Sequence, residues 1–185
     1  MFICEVMKMK AKNNLLKLVF AALLAAFVCV ATLVIRIPSP LGGYINLGDC
    51  IVLVSGWLLG PVYGFLAGGL GSAIADLIGY PAYAVATFFI KGAQALVAWL
   101  LFRLLIKPMG EKRKLAAYLV SGVGAQLVMV GGYYVFEGFY YNSFVSVLAN
   151  VPFNLIQSVA GIVVGIIVIT AINKTRIRNM LGSGK

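Results

Sequence analysis

Three ionisable side chains lie within or beside strongly apolar stretches between Gly42 and Gly92: Asp49, Asp76 and Lys91. An ionisable group in apolar surroundings loses much of its hydration, so it needs a partner of opposite charge, hydrogen-bonding neighbours or an aqueous cavity. Two carboxylates and one ammonium group can form ion pairs with each other, and they can also bind a polar ligand. These residues are therefore the first candidates for a functional site.

Amide and acidic side chains recur later in the chain, again beside apolar runs. Asn150, Asn154 and Gln157 are spaced so that they share one face of a helix, and Glu137 lies in the aromatic connection before them. Buried amides need hydrogen-bond partners, which either another helix or a bound ligand can supply. Both interpretations stay open for these amides.

Tyrosines accumulate beside the same polar residues. An aromatic belt at a membrane interface explains most of them, and one or two can also stack on a flat ligand ring. The tyrosines concerned are Tyr80, Tyr83, Tyr133, Tyr134, Tyr140 and Tyr141.

The composition indicates which elements must position these side chains. Of the 185 residues, 62% are hydrophobic and only 11% are charged, whereas soluble domains have roughly 45–50% apolar and about 25% charged residues. A single soluble core cannot hide this much apolar surface. The sequence therefore predicts an all-α integral membrane protein, with room for five or six spanning helices of about 20 residues and none for a separate soluble catalytic domain.

The apolar runs and the Gly-Pro interruptions divide the chain into six helices. A basic N-terminus (1–14) is expected to precede a six-helix membrane domain (15–173), and a basic tail (174–185) to follow it. The connection after the first helix contains two prolines and two glycines, so it is expected to be an ordered loop. The predicted helices cover residues 15–35, 47–59, 61–78, 82–106, 115–135 and 152–173.

The basic residues indicate the orientation. Thirteen of the fifteen lysines and arginines lie before or at the start of the first helix, from the end of the fourth helix to the start of the fifth, or in the tail. With six spans these three regions lie on the same side of the membrane. The positive-inside rule makes that side cytoplasmic, so both termini are expected in the cytoplasm. The charged and amide side chains named above then all lie in the outer half of the bundle. A single polar cavity, open to the outside, is the simplest account of them.

Several function classes lack support. The cations flank apolar segments, as at a cytoplasmic membrane face, so nucleic acid is not an expected partner. The chain has no histidine, its three cysteines match no metal spacing, and no Walker A, HExxH or GxSxG sequence occurs. We therefore expect no metal site, no catalytic residues and no cofactor. An ion channel or proton relay would require polar groups across the whole bilayer.

Small residues repeat at a spacing of four in two helices, which allows close helix approach in lipid. Gly60, Gly64 and Gly68 indicate packing within the chain. The first helix has an equivalent stripe of small residues, which consists of Ala21, Ala22, Ala25 and Ala26. This alanine stripe can serve either packing within the chain or contact with a partner protein.

Two long segments resemble a known family. IPSPLGGYINLGDCIVLVSGWLLGPVYGFLAGGLGSAIADLIGYPAYAVATFFIKG and the later NVPFNLIQSVAGIVVG are similar to the substrate-binding S components of energy-coupling factor (ECF) vitamin importers. The similarity is greatest with the branch of riboflavin-like and hydroxymethylpyrimidine-like transporters. It covers nearly the whole chain and does not fix the vitamin.

The resemblance implies a six-helix protein with cytoplasmic termini in a prokaryotic plasma membrane. It would bind a vitamin under the loop after the first helix and topple in the membrane to release it inside. A transmembrane coupling subunit would dock on the alanine stripe, and two cytoplasmic ATPase subunits would use ATP and Mg. The chain itself would not be an enzyme. By position, the family's pocket corresponds here to Asn46, Lys91, Gln94, Glu137, Asn154 and Gln157.

The expected function is thus capture of a vitamin or vitamin precursor for an ATP-driven importer. Hydroxymethylpyrimidine or pyridoxine is the favoured substrate, and riboflavin and pantothenate are the less favoured candidates. The alternatives are a stand-alone secondary carrier and a membrane scaffold without a small-molecule ligand. Lys91 is expected either to contact the ligand or to pair with Asp76 or Glu137. Asp49 and Asp76 are expected to cap helices or fix loops, or, with Tyr80, to belong to the pocket or to an ion pair.

Overall fold

A computed structural model describes residues 2–39, 41–175 and 181. Within these residues the protein is a bundle of six main helices, with one short α-helix, three 3₁₀ turns and a two-stranded hairpin in its connections. The elements in chain order are α1 (Phe2–Val34), β1 (Ile37–Pro38), β2 (Tyr44–Ile45), α2 (Gly48–Leu59), α3 (Pro61–Gly79), α4 (Ala84–Met109), α5 (Lys114–Tyr140), α6 (Phe144–Val147) and α7 (Val151–Asn173).

The predicted all-α membrane architecture is confirmed, with two boundary differences. Helix α1 begins at Phe2 rather than near residue 15, because residues 2–13 contain no glycine or proline and are rich in strong helix formers such as Lys and Met. Helix α5 continues to Tyr140 instead of ending near residue 135. The basic tail predicted over 174–185 falls mostly outside the described residues.

Five segments of the described part of the chain are long and apolar enough to cross a membrane. They are 14–34, 61–79, 81–109, 114–140 and 144–173. Helix α2 has 12 residues, which at 1.5 Å per residue is about 18 Å, shorter than a hydrocarbon core of about 30 Å. Six crossings and cytoplasmic termini therefore stay predictions.

Helix α2 forms the centre of the bundle. Eleven of its 12 residues are buried, and it packs against α1, α3, α4 and α7. It ends where Gly60 takes a positive φ of 86° and Pro61 starts α3. The backbone at Gly56 lies so close to the Ala95 carbonyl on α4 that a Cβ there would overlap it, and a Cβ on Gly64 would lie only 2.9 Å from the Gly56 Cα. These glycines let the three helices meet around the centre.

The alanine stripe of α1 does not share a single face. Ala21 is 6% exposed and Ala25 is half-buried, and the Ala25 carbonyl contacts Gly71 of α3. Ala22 and Ala26 are exposed. The reason is that residues four apart share a helix face, whereas neighbouring residues point about 100° apart. One pair therefore packs within the chain, and the other faces outward.

The β1–β2 hairpin covers one end of the bundle. Ile37 pairs with Ile45 and Pro38 with Tyr44, so the ordered loop predicted here contains strands that the sequence did not reveal. Arg36 Nη2 donates to the Ala75 carbonyl at 2.9 Å, near the end of α3. The Arg36 guanidinium also lies 4.8 Å from the centre of the Tyr44 ring. These contacts fasten the hairpin to α3.

Candidate functional site

A cavity lies beneath the hairpin, at the end of the bundle where α1, α3 and α5 finish and α4 and α7 begin. It encloses about 440 Å³ of empty space, its open mouth included. The residues singled out in the sequence that line it are Asn46, Asp76, Tyr83, Lys91, Tyr133, Glu137, Asn154 and Gln157.

The remaining candidates lie around the cavity rather than on its wall. Asp49 lies behind Lys91 and is fully buried. Gln94, also fully buried, is three residues beyond Lys91 on α4, one helical turn deeper into the bundle. Tyr80 packs its ring against Tyr44, with 5.0 Å between ring centres. The structure thus gathers the predicted polar residues at one end of the bundle.

Lys91 pairs with Asp49, so the expectation that its acidic partner is Asp76 or Glu137 is wrong. Both side chains of the pair are buried, with Lys91 only 2% exposed. Asp49 lies in the first turn of α2, and the central position of this helix brings its first turn against α4. The cap predicted for Asp49 is also absent, since the Asn46 Oδ1 accepts from the Gly48 N–H at 2.9 Å instead.

Further groups surround this ion pair. A buried ion pair is stable only when its remaining hydrogen-bonding capacity is also met. The Gln157 Nε2 donates to Asp49 Oδ2 at 2.9 Å, and the Lys91 ammonium lies 5.3 Å from the centre of the Tyr133 ring. Gln157 Oε1 accepts from the Asn46 backbone N–H at 2.8 Å. Gln157 thus connects the end of the hairpin to the ion pair.

Asp76 holds the hairpin from the opposite wall. Its carboxylate accepts a hydrogen bond from the Tyr44 hydroxyl. Burial, and next the Asp76 charge, raise the pKa of Tyr44 above its ordinary value, so the hydroxyl stays protonated and remains a donor. The interpretation of Asp76 as a residue that fixes a loop agrees with this contact.

Glu137 and Asn150 hold the turn of the hairpin. The Asn150 Nδ2 donates to Glu137 Oε2 at 2.9 Å and lies 3.4 Å from the Gly42 carbonyl oxygen. Asn150 Oδ1 accepts from the Leu41 N–H at 3.3 Å. The Tyr83 hydroxyl donates to Glu137 Oε1 at 3.4 Å. These bonds tie the roof of the cavity to α5 and to the segment before α7.

Sequence reasoning missed the hydroxyl side chains of Thr87 and Ser72 in the wall. Thr87 shares a hydrogen bond of 3.0 Å with Tyr133, one of the tyrosines singled out in the sequence. Thr87 precedes Lys91 by four residues, and Ser72 precedes Asp76 by four. Residues four apart share a helix face. That spacing from the charged residues was the available signal for both.

The wall combines hydrogen-bond donors, acceptors and aromatic faces. The ammonium of Lys91 and the carboxylate of Asp49 neutralise each other, while Asp76 and Glu137 add carboxylates that accept from hydroxyl and amide groups. The buried Thr32 hydroxyl lines the same cavity and has no hydrogen-bond partner among residues 2–39, 41–175 and 181. This arrangement can bind a small polar molecule with an aromatic ring.

Comparison with known proteins identifies sequence relatives. The family model described as "ECF-type riboflavin transporter, S component" matches residues 12–174. An uncharacterised protein of Pyrococcus woesei is 36% identical over 140 residues, covering 75% of this chain and 88% of the relative. The thiamine precursor transporter HmpT of Lactococcus lactis is 28% identical over 176 residues, covering 94% of this chain and 97% of HmpT.

Two solved structures share the fold. The S component of a bacterial ECF transporter aligns with a TM-score of 0.63 at 20% identity, covering 85% of this chain and 95% of that chain. The S component for biotin from an ECF-type ABC transporter aligns with a TM-score of 0.59 at 21% identity, covering 88% and 93%. At these identities the likeness concerns the fold.

Proposed function

This chain belongs to the S component family of ECF-type riboflavin transporters, and from that premise we propose that it captures a vitamin or vitamin precursor outside the cell and delivers it through an ATP-driven importer. The observation that carries the proposal is the cavity beneath the hairpin, where Lys91, Asp76 and Glu137 converge. Ionisable groups in a membrane bundle are retained where they face a cavity or each other, and such sites mark substrate pathways.

A small, single-ring substrate is favoured. The cavity holds at most about 440 Å³ of empty space even with its open mouth included, which leaves little room for a ligand of several fused rings. The name of the Lactococcus relative, a thiamine precursor transporter, points the same way. Hydroxymethylpyrimidine or pyridoxine is therefore preferred over the larger riboflavin, and pantothenate is the remaining candidate.

The proposal includes the partners. A transmembrane coupling subunit and two cytoplasmic ATPase subunits, which use ATP and Mg, would power the release of the substrate inside. The basic segments support cytoplasmic termini through the positive-inside rule, and the cavity would then face outward across the plasma membrane of a prokaryote. Ala22 and Ala26 support docking of the coupling subunit on α1, since both are exposed and small.

Replacing Ala22 and Ala26 together with leucine is expected to leave vitamin binding unchanged and to lower uptake by the assembled complex at least tenfold. The larger side chains keep the coupling subunit from approaching α1 closely. Binding is measured by calorimetry on the purified chain, and uptake with radiolabelled vitamin in proteoliposomes. Ala171→Leu, at an exposed position of α7, is the matched control. Wild-type uptake by the double variant would exclude α1 as the docking face.

Uptake in proteoliposomes also tests the proposed function itself. The chain is reconstituted alone or with the coupling and ATPase subunits, and each of the four candidate vitamins is supplied outside. We expect uptake only with the complete complex and ATP. Uptake by the lone chain under an ion gradient would instead establish a secondary carrier. Binding of none of the four vitamins, with no uptake, would favour a scaffold.

A further inference from the structure

An apolar groove lies between α3 and α4, on the outside of the bundle and toward the end opposite the cavity. The five side chains that line it are Pro61, Val62, Phe65, Leu66 and Leu96. Val62 is 63% exposed and Leu66 is 36% exposed, so the groove is accessible from outside the bundle. Lipid tails are as apolar as these side chains, so the groove alone would select no particular lipid.

Helix α4 continues beyond the end of the groove. The Trp99 indole nitrogen lies 3.7 Å from the point that a Cβ on Gly60 would occupy, so Trp99 is level with the start of α3. From Trp99 the helix runs on to Met109, its last residue, which adds about 15 Å at 1.5 Å per residue. The last turns of α4 therefore extend past α3.

Two cations continue the line of the groove along α4. Arg103 follows Leu96 by seven residues and Lys107 follows it by eleven. At 3.6 residues per turn, both positions lie within about 20° of Leu96 around the helix axis, and both side chains are exposed. Neither side chain has an ion pair or a hydrogen bond with another residue among 2–39, 41–175 and 181. Their charges are therefore available to a ligand.

A hydrogen-bond donor lies at the same end of the groove. Trp99 precedes Arg103 by four residues, so the two share a helix face. The Trp99 indole N–H donates to no residue in the part of the chain that the structure describes. Tryptophan is enriched at the level of lipid headgroups, where its ring is in apolar surroundings and its N–H meets a polar group. Trp99 therefore marks the headgroup level beside Arg103.

We propose that this surface binds one anionic phospholipid, with an acyl chain in the groove and the phosphate at Arg103 and Lys107. A guanidinium group can bind two phosphate oxygens at once, and basic pockets between membrane helices bind anionic headgroups. The Trp99 N–H donates to an oxygen of the same headgroup. The inference does not depend on which vitamin, if any, the cavity binds.

Other basic residues at this end of the bundle provide a comparison. Lys112 and Arg113 lie in the 3₁₀ turn after Gly110, and both are exposed. They satisfy the positive-inside rule as well as Arg103 and Lys107 do. They lie beyond the end of α4, however, and do not continue the helix face that carries Leu96. A lipid seated in the groove therefore distinguishes the two pairs of cations.

The groove is separated from the face of α1 proposed for the coupling subunit. The backbone of Ala25 on α1 lies against Gly71 of α3. Phe88 of α4 lies against Gly69 instead, about 200° around α3 from Gly71. Val62 precedes Gly69 by seven residues and so shares its side of α3. A lipid in the groove would therefore not compete with a protein docked on α1.

Lipid binding to the full chain tests the inference. Native mass spectrometry from a neutral detergent compares phosphatidylglycerol with phosphatidylethanolamine of the same acyl chains. The wild type is expected to bind one phosphatidylglycerol at least tenfold more tightly, because the two cations repel the ammonium group of phosphatidylethanolamine. Arg103→Gln/Lys107→Gln is expected to lose this preference, and Lys112→Gln/Arg113→Gln, which removes the same charge, is expected to keep it. Equal preferences in the two double variants would overturn the inference.

Val62→Trp tests the groove itself. The larger ring occupies space that the acyl chain needs, so phosphatidylglycerol binding is expected to fall at least tenfold, with Val62→Phe as a milder variant. Val163→Trp, at an exposed position of α7, is the matched control and is expected to bind as the wild type does. Unchanged binding in both Val62 variants would show that the headgroup alone is recognised, as a free anion would be, and would overturn the inference.

Thermal unfolding checks that the variants fold. Every substituted side chain is exposed, so melting temperatures without added lipid are expected to stay close to the wild-type value. Added phosphatidylglycerol is expected to raise the melting temperature of the wild type and the controls, since a ligand stabilises the state that it binds, and to leave Arg103→Gln/Lys107→Gln unchanged. If this variant keeps the lipid preference but fails to assemble with the coupling subunit, the surface is a protein interface and the inference is wrong.

Discussion

Replacing Lys91 with methionine is expected to lower vitamin affinity at least tenfold and to destabilise the ligand-free protein by about 3–5 kcal/mol. Among residues 2–39, 41–175 and 181, the fully buried Asp49 carboxylate would keep only its hydrogen bond from Gln157 and would lose its counter-charge. Affinity is measured by calorimetry and stability by denaturant unfolding in detergent. The exposed cation Lys112 supplies the control, because Lys112→Met leaves the cavity intact.

The double variant Lys91→Met/Asp49→Leu separates the two effects. Removing both charges of a buried pair is often neutral or stabilising, so stability is expected to return to about the wild-type level. Affinity is expected to stay low, because the cavity has lost its ammonium group. If the double variant binds the vitamin with wild-type affinity, the ion pair serves helix packing alone and does not contribute to ligand binding.

Replacing Gly56 with alanine is expected to destabilise the protein by about 1–3 kcal/mol or more, the usual cost of overpacking a close contact. The added methyl group would meet the Ala95 backbone carbonyl of α4, and backbone cannot move aside as a side-chain tip can. Because α2 contacts four other main helices, displacing it also moves Asp49 away from Lys91. Vitamin affinity should therefore fall together with stability.

Gly131→Ala is the matched control for this change. Gly131 also lies within a helix, but nothing lies within 4 Å of the position of its missing Cβ. Alanine there gains about 1 kcal/mol of helix propensity, so this variant is expected to be slightly more stable. Equal losses in the two variants would contradict the close α2–α4 contact.

The sequence predicted the six main helices because a helix that lies in lipid must be apolar over most of its length. Apolar runs of spanning length are unambiguous, and Gly60-Pro61 marks a helix break that the structure confirms. The clustering of polar residues at one end also followed from the sequence, since alternating helix direction fixes which ends meet. Asn46, Lys91 and Gln157 thereby came together on one cavity wall.

Features that depend on helix rotation could not be predicted in this way. The prediction of the Lys91 partner was wrong because topology fixes only how deep each side chain lies in the bundle. Several carboxylates lie at a similar depth, and helix rotation decides which of them faces α4. The alanine stripe of α1 divided into an inner and an outer pair for the same reason. The hairpin strands contain two residues each, too few for a recognisable alternation of polar and apolar residues.

The central claim is that the cavity beneath the hairpin holds one vitamin. Native mass spectrometry of the purified chain, released from detergent after incubation with the four candidate vitamins, tests it most directly. We predict one bound vitamin per chain in the wild type, its mass identifying the compound, and little or none in Lys91→Met. A bare chain mass under all conditions, or equal vitamin occupancy in Lys91→Met, would contradict the account.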